Sequence, residues 1–392
     1  IAALAPGVVS VSGTASTAAG FSAAGQRPSS NTTTLDGLTF GSASVPQDAV
    51  RNTRVITNTF DVGRGQFSGA LVASTTRSGT NVVQATFNGT LRDPTLALGS
   101  DSVTALPAAQ QQLSFGLGGP FVKNKFFGFA SGQVRHRSEQ FVSLDELDGS
   151  GANRLGLSAD SLARFRTILG GLSLPLSVSG IPDDRLGTDY SGIARFDVLR
   201  GQRHTLTLRG GGRYSSSEPA RFSPFSLSSS GGTTSNKGGG VMLQLSSQVG
   251  SSILNEAKVY YSGTSNQGSS YLDLPQARVQ VGSDLSDGRT GFTTLVFGGN
   301  PGFPQRGRSS TFEASNEASW INGDGAHRVK LGAFFTSTKT TSEVAADQRG
   351  TFTYQSLADF EANRPALFTR SLAPSERSGR TATAALYLGD TW

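Results

Sequence analysis

From Asn81 onward the chain alternates apolar and polar residues with a period of two, the side-chain repeat of a β-strand. In 82–91, Val83, Ala85, Phe87, Gly89 and Leu91 fall on one face, and Gln84, Thr86, Asn88 and Thr90 on the other. Leu113, Phe115 and Leu117 oppose Gln112, Ser114 and Gly116 in 111–118. Leu206 and Leu208 oppose Thr205, Thr207 and Arg209 in 203–213. In 241–249, Val241, Leu243, Leu245 and Val249 oppose Met242, Gln244, Ser246 and Gln248. In 253–261, Ala257, Val259 and Tyr261 oppose Glu256 and Lys258. In 311–320, Phe312, Ala314, Ala318 and Trp320 oppose Glu313, Ser315, Glu317 and Ser319. In 327–337, Val329, Leu331, Ala333 and Phe335 oppose Arg328, Lys330 and Gly332. Segments 125–137, 189–199 and 380–392 complete about ten predicted strands, each near the ~9–11 residues that cross a bilayer when tilted.

A soluble β-sandwich or β-solenoid also alternates. Two features favour a membrane barrel instead. The polar face carries charges and amides in strand after strand, as a wet lumen tolerates, and aromatics stand near strand ends (Tyr214, Tyr261, Trp320, Trp392), where membrane girdles fall. The connections add direction. Short links at 120–124, 200–202, 250–252 and 322–325 alternate with long ones at 92–110, 138–188, 215–236, 264–308 and 341–378. Short periplasmic turns and long external loops are the habit of outer-membrane barrels. Within the long links, 158–169 predicts a short helix capped by Ser158 and 356–363 a second one. The Ser-, Gly-, Thr- and Asn-rich stretches 226–239 and 264–270 are expected to be mobile.

Residues 1–80 differ. They hold small residues, turn signals at Arg27-Pro28-Ser29-Ser30-Asn31 and Leu35-Asp36-Gly37, and short β-like pieces such as Arg54-Val55-Ile56-Thr57. Pro46-Gln47-Asp48-Ala49-Val50 predicts one helical turn with Pro at its first position. The expected fold is therefore mainly β: an N-terminal α+β unit over 1–80, then an antiparallel transmembrane β-barrel over 81–392. A ten-stranded barrel is too narrow to enclose such a unit, whereas barrels with a plugged lumen have ~22 strands. The expected barrel is thus incomplete, and because the chain opens on Ile1 with no signal peptide before it, a fragment of a longer protein is expected.

Composition agrees with this picture. Charged residues make up 16% of 392, and 50 residues are glycine, against ~25% and ~7% in ordinary soluble domains. No apolar run approaches the ~18 residues of a transmembrane helix. The net charge of +6 suits anionic partners, outer-membrane lipid and lipopolysaccharide among them. Its basic residues are scattered and not in blocks, so no nucleic-acid partner is expected. With no cysteine, thiol catalysis and zinc–thiolate sites are excluded. There is no G-x-S-x-G, H-E-x-x-H or phosphate-loop signature, and His136, His204 and His327 stand far apart. We expect no enzyme activity, no catalytic or metal site and no cofactor.

Several runs carry a family resemblance. Gly20-Phe21-Ser22-Ala23-Ala24-Gly25-Gln26-Arg27-Pro28-Ser29-Ser30-Asn31, with Leu35-Asp36-Gly37 after it, resembles the plug of TonB-dependent outer-membrane receptors of the Oar-like group. So does Val62-Gly63-Arg64-Gly65-Gln66-Phe67-Ser68-Gly69-Ala70-Leu71-Val72, followed by Thr76-Arg77-Ser78-Gly79-Thr80-Asn81. Leu117-Gly118-Gly119-Pro120 and Lys123-Asn124-Lys125-Phe126-Phe127 resemble that group's first periplasmic turn, and Leu386-Tyr387-Leu388-Gly389-Asp390-Thr391-Trp392 one of its mid-barrel strands. The resemblance implies a receptor that imports a scarce or large ligand through a plugged barrel. Its partners would be a TonB-type energy-transducing complex, contacted through a segment upstream of Ile1, and an unidentified ligand. Arg27, Asp36, Gly63, Arg64, Gly69, Arg77 and Gly79 become the structural or gating candidates of the plug. Polar docking is expected to set Arg27, Arg51, Arg54, Arg64 and Arg77 against lumenal acids such as Glu256, Glu313 or Glu317. The competing function is a surface or adhesion protein whose barrel anchors long loops.

Overall fold

The computed structural model describes residues 8–11, 20–23, 25–39, 45–57, 63, 69–96, 108–220, 223–286, 288–323, 325–344, 347–373 and 375–392. Near the N-terminus β1 (Val8–Val11) pairs with β2 (Gly20–Ala23). A second small sheet has the order β4-β3-β6-β5, built from β3 (Thr32–Leu35), β4 (Leu38–Thr39), β5 (Val50–Ile56) and β6 (Leu71–Thr76). Leu35-Asp36-Gly37 turns β3 into β4. Asp36 and Gly37 have φ of 55° and 81°, the left-handed pair that a two-residue type I′ hairpin demands. The turn expected at 46–50 is a 3-10 turn over Gln47–Ala49, with Pro46 just outside it and not at its first position. Among its described residues this unit has one small core of its own, Val8, Ala23 and Ala70. Leu35 and Ala49 are buried with Phe129 and Ile193, and Leu38 with Met242 and Tyr260, all four partners belonging to the sheet described next.

That sheet takes β7 (Gln84–Arg92), β8 (Ala108–Val122), β9 (Phe126–Gln140), β10 (Asp184–Arg200), β11 (His204–Ala220), β12 (Gly232–Val249) and β13 (Ile253–Ser270). The chain then makes a separate hairpin, β14 (Gln276–Asp284) and β15 (Thr290–Gly298), before β16 (Gln305–Ile321) and β17 (Arg328–Val344) rejoin the sheet. After the short strands β18 (Thr351–Tyr354) and β19 (Leu367–Thr369), β20 (Ser375–Thr391) completes it. The order is β20-β17-β16-β13-β12-β11-β10-β9-β8-β7, antiparallel throughout. All ten predicted strands are present in it. Short links join β8 to β9, β10 to β11, β12 to β13 and β16 to β17, and the long connections leave from the opposite end.

The sheet is inside-out by the standards of a soluble protein. Leu113, Phe115, Leu117, Leu208, Leu243 and Leu331 are exposed, whereas Ser131, Gln133, Asp197, Thr207, Arg209 and Glu313 on the other face are buried. Water penalises exposed apolar area by about 25 cal/mol per Å², so an apolar band of this kind marks a surface covered by something other than water. Aromatics border the band. Phe121 stacks on Phe126 at 4.7 Å near the first short link, and Tyr190 on Tyr214 at 6.2 Å toward the long connections.

One expectation about the long connections is corrected. Most of 226–239 and all of 264–270 are not mobile but paired strand, Gly232 opposite Ser270 and onward in register. Their glycines serve packing: a Cβ on Gly232 or Gly268 would lie 2.6 or 2.5 Å from the Phe303 ring. The connections also pack on one another. α1 (Gly149–Arg154), α2 (Ala159–Gly171), α3 (Leu357–Glu361) and the sheet β15-β14-β18-β19 share one apolar core. Leu162 and Phe165 of α2 meet Val279 and Val281 of β14, Leu295 and Phe297 of β15, and Phe360 of α3 there. The expected helices are confirmed, with Ser158 accepting from the Ser161 N–H and Ser356 from the Asp359 N–H.

Candidate functional site

The densest polar cluster lies where the β3–β4 hairpin meets the buried face of the large sheet. The type I′ turn brings the Asp36 side chain to the end of β6, at the edge of the N-terminal unit: the Thr76 N–H donates at 2.9 Å and the Thr76 hydroxyl at 2.8 Å. From the sheet, the Arg209 guanidinium forms a close ion pair with the same carboxylate, and Arg195 approaches it at 3.9 Å. Arg195 also donates to the Thr76 hydroxyl at 2.9 Å and grips Asp197, Nε to Oδ2 at 2.9 Å and Nη2 to Oδ1 at 2.9 Å. Asp197 accepts in addition from the Thr207 hydroxyl at 2.6 Å. The hairpin backbone is held as well. Lys258 donates to the Asp36 carbonyl at 3.2 Å, Arg209 to the Leu35 carbonyl at 3.3 Å, and the Thr39 N–H donates to Glu313 at 3.0 Å.

Burial makes this cluster consequential. Arg209 is 2% exposed and Asp36 8%, so each depends on the other for compensation in a poorly hydrated place. Two acids and two arginines interleave across three elements, the β3–β4 turn, β10 and β11. Such a contact is rigid while complete and hydrates readily once pulled apart, because every group in it is polar.

The sequence candidates are distributed as follows. Asp36 is at the centre. Gly79 lies where the backbone leaving β6 passes the first short link: a Cβ there would stand 2.4 Å from the Gly128 carbonyl and 2.6 Å from that of Gly119. Beside it the Asn124 N–H donates to the Asn81 side chain at 2.9 Å, so two runs that look unrelated in sequence are one contact. Gly69 is squeezed against Asn31, whose side chain accepts from the Ala70 N–H at 2.8 Å and donates to the Phe21 carbonyl at 2.6 Å. Arg77 donates to the Val50 carbonyl at 3.2 Å, within the N-terminal unit. Arg27 is exposed beside a 3-10 turn, and Gly63 lines a cleft with Arg54, Glu256 and Lys258. Arg64 lies outside the described residues.

The expected sense of the docking charges is reversed. Among the described residues no ion pair joins Arg27, Arg51, Arg54 or Arg77 to Glu256, Glu313 or Glu317. The central acid is on the N-terminal unit and its arginines are on the sheet. Glu256 pairs with Lys258 at 3.3 Å and Glu317 with Lys330 at 3.9 Å, both within the sheet, while Glu313 takes a backbone N–H. Arg195, Asp197, Thr207 and Arg209 were not singled out from the sequence. Their one signal there is that all four fall on the polar face of adjacent strands.

A family described as an outer membrane beta barrel domain matches residues 180–392, more than half of the chain. No curated protein matches it in sequence. The fold is similar to that of the outer membrane transporter YddB from Escherichia coli, with a TM-score of 0.60, 15% identity, and coverage of 95% of this chain and 48% of that one. It is also similar to a mutant of the ferric enterobactin receptor PfeA from Pseudomonas aeruginosa (TM-score 0.56, 12% identity, 95% and 48% covered). A third likeness is the siderophore receptor PirA from Acinetobacter baumannii (TM-score 0.55, 12% identity, 98% and 50% covered). The chain spans about half the length of these structures.

Proposed function

This chain belongs to the outer membrane beta-barrel domain family, and from that premise we propose that it forms the plug and the first part of the wall of a TonB-dependent importer. In this reading residues up to about 80 are the plug, the ten-stranded sheet is wall, and further strands close the barrel between the edges of β7 and β20, unpaired among the described residues. The observation that carries it is the Asp36–Arg209–Arg195 cluster. It fastens a small, core-poor unit to the polar face of a sheet whose other face is apolar, by contacts that water can replace.

The mechanism follows from that polarity. A TonB-type complex would pull on the N-terminal side of the plug. Separating Asp36 from Arg209 and Arg195 leaves charges that lumenal water can solvate, so the hairpin can leave the wall without exposing a large apolar surface. Gly79 and the Asn81–Asn124 contact hold the exit of the plug chain against the first periplasmic turn, which keeps the plug tethered when its hairpin moves. The neighbours named as transporter and receptors support import over adhesion. Radiolabelled-solute uptake into wild-type and tonB-deleted cells tests it: uptake should vanish with TonB. Uptake that persists without TonB, together with lost cell adhesion on deleting this gene, overturns the import reading in favour of a surface anchor.

A further inference from the structure

Toward the long connections, the apolar face of the large sheet closes with the row Val241, Tyr261 and Phe312, in register across β12, β13 and β16 and all exposed. The next two rows on that face change character. Gly239, Gly263, Ser310, Lys339 and Arg380 make the first, and Tyr214, Lys237, Ser265, Arg308 and Thr341 the second. There a shallow groove of about 870 Å³ is lined by Lys237, Arg308 and Lys339, with Tyr214 and Tyr261 beside them. No acid is among its described lining residues, and its fourth cation, Arg213, is paired with Asp189 at 3.6 Å.

These rows are short of negative charge. Among the described residues no ion pair joins Lys237, Arg308, Lys339 or Arg380 to an acid. Lys237 lies over the Tyr214 ring at 5.7 Å, and the Arg380 Nε donates to the Ser337 hydroxyl at 2.9 Å. One row farther out, Glu343 is taken by Arg306 at 4.0 Å and faces Glu376. Lys339 stands directly opposite Arg380. Like charges facing one another across a ladder are destabilising, so an anion held between them relieves the pair.

We infer that this face binds one lipopolysaccharide molecule, its acyl chains along the apolar band and its phosphates on Lys237, Arg308 and Lys339. The inference needs the barrel in the outer membrane with its long connections outside, and it holds whether or not the barrel transports. Guanidinium forks and ammonium groups are the ordinary partners of phosphate. From Lys237 to Lys339 is three strand spacings of ~4.8 Å, roughly 14 Å. One phosphate does not bridge that span, whereas two on a single headgroup do. A free anion would gain nothing from the apolar rows beneath, while a lipid covers both. Tyrosines at the border, Tyr214 and Tyr261, stand where aromatic side chains meet headgroups.

Native mass spectrometry of the full-length protein in uncharged detergent tests it, with diphosphoryl lipid A as the probe. The lipid should bind saturably and more weakly as salt rises, and its dephosphorylated form about tenfold more weakly or worse. Inorganic pyrophosphate at the same concentration should not displace it, because the free anion lacks the chains. Pairing Arg308→Gln with Lys339→Gln should weaken lipid binding by about tenfold or more. Arg200→Gln, opposite His204 at the short-link end of the same face, should leave it unchanged. All three side chains are exposed, so these variants should fold as the wild type does. The inference is overturned if lipid A does not bind, if the dephosphorylated form binds as tightly, or if pyrophosphate displaces it. Binding that survives the double substitution, or falls equally in Arg200→Gln, overturns it too. Lipid binding without TonB-dependent uptake would remove the import reading and leave the site, and uptake without lipid binding would do the opposite.

Discussion

An ionised side chain removed from water must find its compensation nearby, and at Asp36 that compensation is unusually complete. One carboxylate takes the Thr76 N–H, the Thr76 hydroxyl and the Arg209 guanidinium, with Arg195 behind. Removing one partner of a buried pair costs about 3–5 kcal/mol, since the survivor is left uncompensated. Asp36→Asn separates charge from backbone, because Asn also tolerates the left-handed conformation that Asp36 adopts. The variant should loosen the β3–β4 hairpin, seen as much faster amide exchange at Leu35, Leu38 and Thr39, while the amides of β10 and β11 stay protected. Unchanged exchange at the hairpin would mean that Asp36 does not hold it. In the sequence the alternation of 203–213 sets Thr207 and Arg209 opposite Leu206 and Leu208, while 189–199 reads only as a further strand, with no face assigned to Arg195 or Asp197. The alternation could not pair them. Which charge on the sheet's polar face meets which residue of the N-terminal unit depends on position along the strand, and a period of two carries no information about that position.

At the scale of elements, the long connections behave as one small domain. α2 was legible because its start is written locally, in Ser158 three residues before Ser161, and its apolar positions recur at helical spacing. Ser158→Ala should cost about 1 kcal/mol in the local stability of α2. Phe165→Ala should cost about 3–5 kcal/mol, because that ring packs on Phe297 at 6.0 Å and Phe360 at 5.8 Å. Amide exchange across α2 measures both, and wall strands should not respond. The sheet of this domain was not legible. Ala277, Val279 and Val281 alternate with Gln276, Arg278 and Gln280 just as a wall strand does, and only the tertiary neighbours decide whether such a face meets lipid or helix. β14 also pairs in parallel with β18, a contact between residues far apart in sequence that no local pattern announces. One titration is readable here. The Asp148 carboxyl is held below its usual range by the Gly151 N–H and then by the Ser150 hydroxyl. A depressed carboxyl supports the folded form above its unfolded value of about 3.9, and that support is lost as pH falls through the lower folded value. The Gly151 amide shift should therefore titrate with a midpoint below 3.8, and this dependence should disappear in Asp148→Asn.

The whole molecule is organised by two solvents, and a single strand suffices to test which face meets which. None of the described helices is long and apolar enough to cross a membrane, and strands that cross one hide their apolarity in alternation. On β12, Leu243 is 48% exposed and lies between Leu208 and Val259 on its neighbours, themselves 43% and 45% exposed. Its successor Gln244 points to the opposite, partly buried face. If the exposed face meets hydrocarbon, an arginine near mid-depth costs about 2–4 kcal/mol. If it meets water, the same change relieves an exposed leucine and is neutral or mildly favourable. The full-length barrel refolded into vesicles and unfolded in urea should accordingly show Leu243→Arg strongly destabilised and Gln244→Arg much less so, since the opposite face is polar and repulsion from the facing Lys258 costs only about 0.2–1 kcal/mol. Equal tolerance at both positions would contradict the membrane-facing assignment of the band. The pair of neighbouring residues keeps the comparison internal: same strand, same depth, same substituent, with only the face exchanged.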